Sequence, residues 1–136
     1  MLRLVALALL GMAVLAVEES ASAASGIRPL APAKGSIVPK GKPVEFRMRV
    51  RGRGQVWVRV CRSSERNRAG FICPDESFGR ATRRAGIFRY RPKLYDFPRF
   101  WLNRPGIYYW QAHRIQCDRR GNNCRQPGPV TEFRVQ

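Results

Sequence analysis

The chain carries four cysteines, Cys61, Cys73, Cys117 and Cys124, and a single histidine, His113. Thiols and imidazoles are the side chains that most often build metal centres and nucleophilic sites. Their arrangement here argues against both. No Cys-x-x-Cys pair occurs, and one histidine leaves zinc without an ordinary ligand set, so no metal is expected. Four thiols allow three disulfide pairings, and the short separations favour the local ones, Cys61–Cys73 and Cys117–Cys124.

The remaining reactive residues do not assemble a catalytic set either. Ser63-Ser64 stands in a polar stretch without a Gly-x-Ser-x-Gly context. Asp75-Glu76 are adjacent, so in extended chain they point to opposite sides and cannot flank one scissile bond. Gly52-x-Gly54 lacks the strand-to-helix setting of a phosphate loop. His113, in a strand beside Arg114, reads as a plain surface residue. The chain is expected to be no enzyme and to need no cofactor.

Charge is the stronger signal. Over 136 residues there are 26 basic and 9 acidic side chains, a formal charge of +17, and 22 of the basic ones are Arg. Such a balance attracts nucleic acid, anionic lipid or an acidic cell-wall polymer. It is also what an Arg-favouring codon composition produces, and the two origins stay open.

The first residues set the compartment. Arg3 precedes the apolar run Leu4–Val17, and Ala21-Ser22-Ala23 follows polar Glu18, Glu19 and Ser20. That order is a secretory signal peptide, here assigned to residues 1–24. An uncleaved membrane anchor is the alternative, but 14 helical residues span only about 21 Å of a core roughly 30 Å thick. Without Arg3, Glu18 and Glu19 the exported part holds 25 basic and 7 acidic groups, or +18. All four cysteines lie in it, which suits disulfides in an oxidising compartment. The protein is expected to be secreted.

The elements that must position these residues are strands. Residues 25–43 hold four prolines and three glycines, so they read as an extended arm with a first strand near Ile27–Leu30 or Ser36–Val38. Residues 44–136 read as the β-sandwich domain. Val44, Phe46, Met48 and Val50 alternate with Glu45, Arg47, Arg49 and Arg51, which predicts one buried and one wet face. Val56, Val58 and Val60 repeat the pattern after the Gly52-Arg53-Gly54 turn. Residues 62–86 read as a long loop with a short strand near Phe71–Cys73 and a weak helical turn near Phe78–Arg84. Phe88 and Tyr90 alternate with Arg89 and Arg91. Pro98 confines Leu94–Leu102 to an edge or an irregular path. Ile107–Ile115 and Val130–Val135 are further strands, with a loop tip over 118–128. Short strands with frequent Pro/Gly turns indicate an all-β sandwich of immunoglobulin-like kind with about seven strands.

Three stretches sharpen that class. "PLAPAKGSIVPKGKPVEFRMRV", "LNRPGIYYWQA" and "GPVTEFRV" resemble, in order and spacing, segments of bacterial secreted fibronectin type III-like modules. The resemblance covers both ends of the exported part and little of its middle. It implies a tyrosine corner, in which a strand-opening tyrosine bonds back to the preceding backbone. Tyr108, six residues after Leu102, fits that role. Gly106 lies two residues before it instead of three, which keeps Tyr109 as the other candidate. With Tyr108 inward, Trp110 fills the centre between the sheets.

The resemblance also makes the second and fifth strands neighbours. If residues 87–93 are the fifth strand, Arg47, Arg49, Arg51, Arg89, Arg91 and Lys93 share one outer surface and are candidates for anion binding; if 94–102 is the fifth strand, the two rows do not meet. Two function classes follow. One is a non-catalytic exported interaction module with an extracellular protein partner. The other is a cationic binder of an anionic polymer, whether cell-wall polymer, nucleic acid or glycan, including antimicrobial action.

Overall fold

The computed structural model describes residues 25–73, 79–92, 102–122 and 124–136. Alternation decides its strands. Phe46 and Met48 of β3 (Phe46–Val50) are fully buried while Arg47 and Arg49, which alternate with them, are exposed. Val56, Val58 and Val60 turn inward from β4 (Gln55–Cys61), and Tyr108, Trp110 and Ala112 from β8 (Gly106–Ile115). Phe133 and Val135 do so from β9 (Arg125–Val135). Two sheets close over these residues. One is four-stranded, in the order β1 (Ile27–Ala31), β3, β7 (Ile87–Tyr90), β6 (Thr82–Arg84). The other is five-stranded, in the order β2 (Ile37–Val38), β9, β8, β4, β5 (Gly79–Arg80).

Both proposed sites for the first strand are strands, one in each sheet. β1 pairs antiparallel with β3, and β2 pairs parallel with β9. The Pro/Gly-rich segment 25–43 is thus part of the sandwich. Pro32, between the two strands, is tied to the core, since its carbonyl accepts the Trp110 indole N–H at 3.0 Å. Trp110 is fully buried and meets Phe46 edge-on, with centroids 5.3 Å apart.

The corner is Tyr108. Its hydroxyl donates to the Arg104 carbonyl at 2.9 Å, and its ring stacks on Phe133. Leu102 packs against the same core. Tyr109 points to the other side of the sheet, against the Cys61–Cys73 cluster. The strand order and the corner define an immunoglobulin-like sandwich, the architecture that fibronectin type III-like modules share.

Three expectations need correction. The stretch 79–84 is not a helical turn: β5 pairs with β4, Ala81 donates its N–H to the Val56 carbonyl, and β6 pairs with β7. The chain thereby passes from one sheet to the other. Gly79 permits this, because a Cβ there would run into the Tyr90 ring. Second, Phe71–Cys73 forms no strand; Ile72 makes one isolated bridge to Arg66. Third, β9 begins at Arg125, so Arg125–Gly128 belong to a strand and not to the loop tip. Pro127 lies opposite His113 of β8, and Pro127–Pro129 fall where the β8–β9 register shifts, an irregularity of the kind that tolerates proline in a sheet.

Candidate anion-binding face

The outer side of the four-stranded sheet is built by the same alternation that buries Phe46, Met48 and Tyr90. Register then decides which cations meet. Arg47 lies directly opposite Arg89, so residues 87–90 are the strand beside β3 and the two arginine rows do meet. Arg28 of β1 lies directly opposite Arg49. On the far edge, Thr82 faces Arg89 and Arg84 faces Ile87. Directly opposed residues on one face stand about 5 Å apart at their β-carbons, close enough for like charges to repel.

Glu45 is the counterweight. It precedes Arg47 by two residues and therefore shares its face. Its Oε1 accepts from Arg89 Nη1 at 2.9 Å and lies 4.0 Å from Arg47 Nε; its Oε2 accepts from Arg91 Nη2 at 3.3 Å. Partial burial pushes the carboxyl upward, but the hydrogen bonds and charges of Arg89 and then Arg91 outweigh it and hold Glu45 below its ordinary 4.5. Repulsion between the arginine rows is therefore already partly relieved inside the fold. Arg28, Arg47, Arg49, Arg84, Arg89 and Arg91 make six outward cations against this one carboxylate among the described residues.

Of the sequence candidates, Arg47, Arg49, Arg89 and Arg91 come together. Arg51 lies just past β3; its backbone N–H donates to the Gly26 carbonyl and its own carbonyl accepts from Arg114 Nη1 at 2.8 Å. Lys93 lies outside the described residues. Sequence reasoning missed Arg28, Arg84 and the role of Glu45. Arg28 sits beside Pro29 in a segment whose pairing the local pattern does not announce. Glu45 was visible by parity with Arg47.

The opposite side of the molecule differs. His113 is not a surface residue: it is fully buried on the outer side of the five-stranded sheet. The segment 62–73 folds across that side and is fastened by the Cys61–Cys73 disulfide. Phe71 meets the His113 ring edge-on, at 5.4 Å between centroids, and the Arg59 guanidinium at 4.6 Å. Arg59 Nη1 donates to the Ile72 carbonyl. Gln111 Oε1 accepts the Ile72 N–H, and its Nε2 donates to the Gly70 and Gly128 carbonyls, at 2.9 to 3.0 Å. Burial, then the charges of Arg59 and Arg125, push the His113 pKa down to about 3. The imidazole is therefore neutral at physiological pH.

The second disulfide, Cys117–Cys124, closes the base of the β8–β9 tip. There Asp118 Oδ1 accepts the backbone N–H groups of Arg120 and Asn122. Among the described residues no three His, Cys, Asp or Glu side chains gather as metal ligands, and no helix is long and apolar enough to cross a membrane. The disulfides and the fold fit an extracellular domain.

Comparison with known proteins adds one neighbour. No protein-family description matches the chain, and no curated protein matches it. Among solved structures it is similar to the fibronectin(III)-like modules of Clostridium thermocellum CbhA, at 17% identity and a TM-score of 0.46. That similarity covers 81% of this chain and 45% of the other. The strand order and the tyrosine corner are those of an immunoglobulin-like sandwich.

Proposed function

We propose that the protein is an exported, non-catalytic interaction module that holds an extended anionic polymer on the outer face of its four-stranded sheet. The polymer is of the cell-wall, nucleic-acid or glycan kind. Export is supported by the signal-like residues 1–24 and the two disulfides. A non-catalytic role is supported by the burial of the one imidazole under the 62–73 segment. The observation that carries the binding reading is the register placing Arg28 opposite Arg49 and Arg47 opposite Arg89. A folded chain gains nothing from such pairs on their own, whereas a ligand with repeating negative charge bridges them. The face is a sheet surface, so it suits a polymer laid along it.

The test is binding of short duplex DNA and of heparin across a salt series, comparing the protein with its Arg28→Ser, Arg47→Ser, Arg49→Ser triple variant. The protein should bind at low salt and release steeply. For duplex DNA the triple variant should lose up to about 2.7 from the slope of log K against log salt, or 0.9 per lost contact. Equal affinity and slope in the two proteins would rule out this face as the site. Salt-insensitive capture of a protein would instead favour an apolar interaction surface.

A further inference from the structure

The carboxylate of Glu45 lies among the guanidinium groups of three arginines of the basic face. Arg89 and Arg91 each donate to one of its oxygens, and Arg47 approaches the first of them at 4.0 Å. Side-chain exposure is 27% for Glu45 but 46% for Arg47, 36% for Arg89 and 67% for Arg91. The acid thus sits inward of the three cations, and their outer flanks remain in water. At the other end of the same face Arg28 and Arg49 are exposed and opposed, with no carboxylate within ion-pair distance among the described residues.

We propose that Glu45 is a built-in competitor for the polyanion: it occupies the Arg47–Arg89–Arg91 end, so that the ligand seats first on Arg28 and Arg49 and is held only loosely at the Glu45 end. This rests on the face being the polyanion site. The chemistry is that of one charged oxygen pair displacing another. A phosphate, sulfate or carboxylate of the polymer gains the Arg89 and Arg91 hydrogen bonds only by taking them from Glu45, and its own charge is repelled by the carboxylate if it does not. Such a residue weakens binding in the ground state, steepens the preference for highly charged polymers and keeps release easy. A purely structural ion pair on a strand face would hold the arginines in place and have no effect on the ligand beyond its unit of net charge.

The distinction is measurable. Glu45→Gln keeps the shape and removes the charge. Glu132→Gln, on an exposed position of β9 in the other sheet, makes the same change in net charge elsewhere. With a short duplex DNA as probe at about 50 mM salt, Glu45→Gln should bind about 3- to 10-fold tighter than the unaltered protein, and its salt slope should steepen by about 1 to 2 as Arg89 and Arg91 become ligand contacts. Glu132→Gln should change affinity less than about 2-fold, because a charge on the opposite sheet is screened over roughly 8–10 Å. Adding Arg89→Ser to Glu45→Gln should abolish most of the gain. Equal gains from the two glutamine variants, or weaker binding by Glu45→Gln, would overturn the competitor role while leaving the face as the site. Absence of binding by every variant at low salt would overturn the face itself, and with it this inference.

Discussion

The outer faces of the two sheets are written in one alternating pattern and end in opposite environments. On β3 the outward residues are Arg47 and Arg49, both exposed. On β4 and β8 the outward residues include Arg59, Gln111 and His113, and all three are buried, Arg59 to 3% exposure. The strands do not make this difference. A segment from elsewhere does: 62–73 lies over the five-stranded sheet, brings Phe71 and Ile72 with it, and has no counterpart among the described residues over the four-stranded sheet. The covered polar groups survive burial because they are partnered, Arg59 by the Ile72 carbonyl and the Phe71 ring, Gln111 by three backbone groups. A polar side chain at an outward strand position therefore reports which side it is on, not whether that side is wet.

If the cover is what separates the two faces, loosening it should make them alike. The Cys61–Cys73 bond closes a loop with a sequence separation of 12. Changing both cysteines to Ser should cost about 2–3 kcal/mol in the chain-entropy view. It should also raise the exchange rate of the Ile72 amide, which Gln111 holds at 3.0 Å, while the amides of β3 and β7 change only through the global loss. Urea unfolding with amide exchange reads both. Unchanged Ile72 protection would mean that packing of Phe71 and Ile72 alone holds the cover.

What was legible in the sequence was whatever the local period controls. Alternation located β3, β4, β7 and β8, and the resemblance to fibronectin type III-like modules pointed to a corner at Tyr108 or Tyr109, of which the hydroxyl bond to Arg104 picks Tyr108. The local disulfides were legible from their short separations. Long-range contacts hid the rest. The passage of 79–84 between sheets depends on the fit of Gly79 to Tyr90, and the extension of β9 through Pro127-Gly128-Pro129 depends on a register shift against β8. His113 was misplaced because the Phe71 that buries it lies more than forty residues earlier in the chain. On the candidate site, parity found Arg47, Arg49, Arg89 and Arg91, but only pairing could add Arg28.

The covered face should also titrate where the open one does not. His113 has a folded-state pKa pushed from 6.5 down to about 3 by burial and by the charges of Arg59 and Arg125. The unfolded chain takes up a proton below about 6.5, and the folded chain does not until much lower pH. Stability contributed by neutral His113 is thus complete above that value and is lost as the pH falls towards about 3. The slope is at most about 1.4 kcal/mol per pH unit for one proton. Glu45, also held below its ordinary value, adds a loss of the same sign only under pH 4.5, so between 6.5 and 4.5 the imidazole acts alone of the two. Urea midpoints at pH 7, 6 and 5 should fall steadily in the unaltered protein and stay level in His113→Gln. A level profile in both would mean that the covered face admits the proton as readily as the unfolded chain does.

The smallest effect belongs to the open face. Arg47→Ser and Arg49→Ser remove exposed guanidinium groups, each of which faces another arginine across the ladder, Arg89 and Arg28 respectively. Both side chains are exposed, and the Arg47–Glu45 approach is at the 4.0 Å limit of an ion pair. Surface changes of this kind stay within about 0.5 kcal/mol. The sign should favour the variants at low salt, because a like-charge pair is lost in each case, and the advantage should shrink as added salt screens the pair. Arg47→Ser should gain less than Arg49→Ser, since Glu45 already offsets part of the repulsion around Arg47 and lies further from Arg49. Paired urea melts in low and physiological salt would show it. A loss of more than about 1 kcal/mol from Arg49→Ser would place that arginine among the residues that hold the fold together, and the two faces would then differ less than their exposure implies.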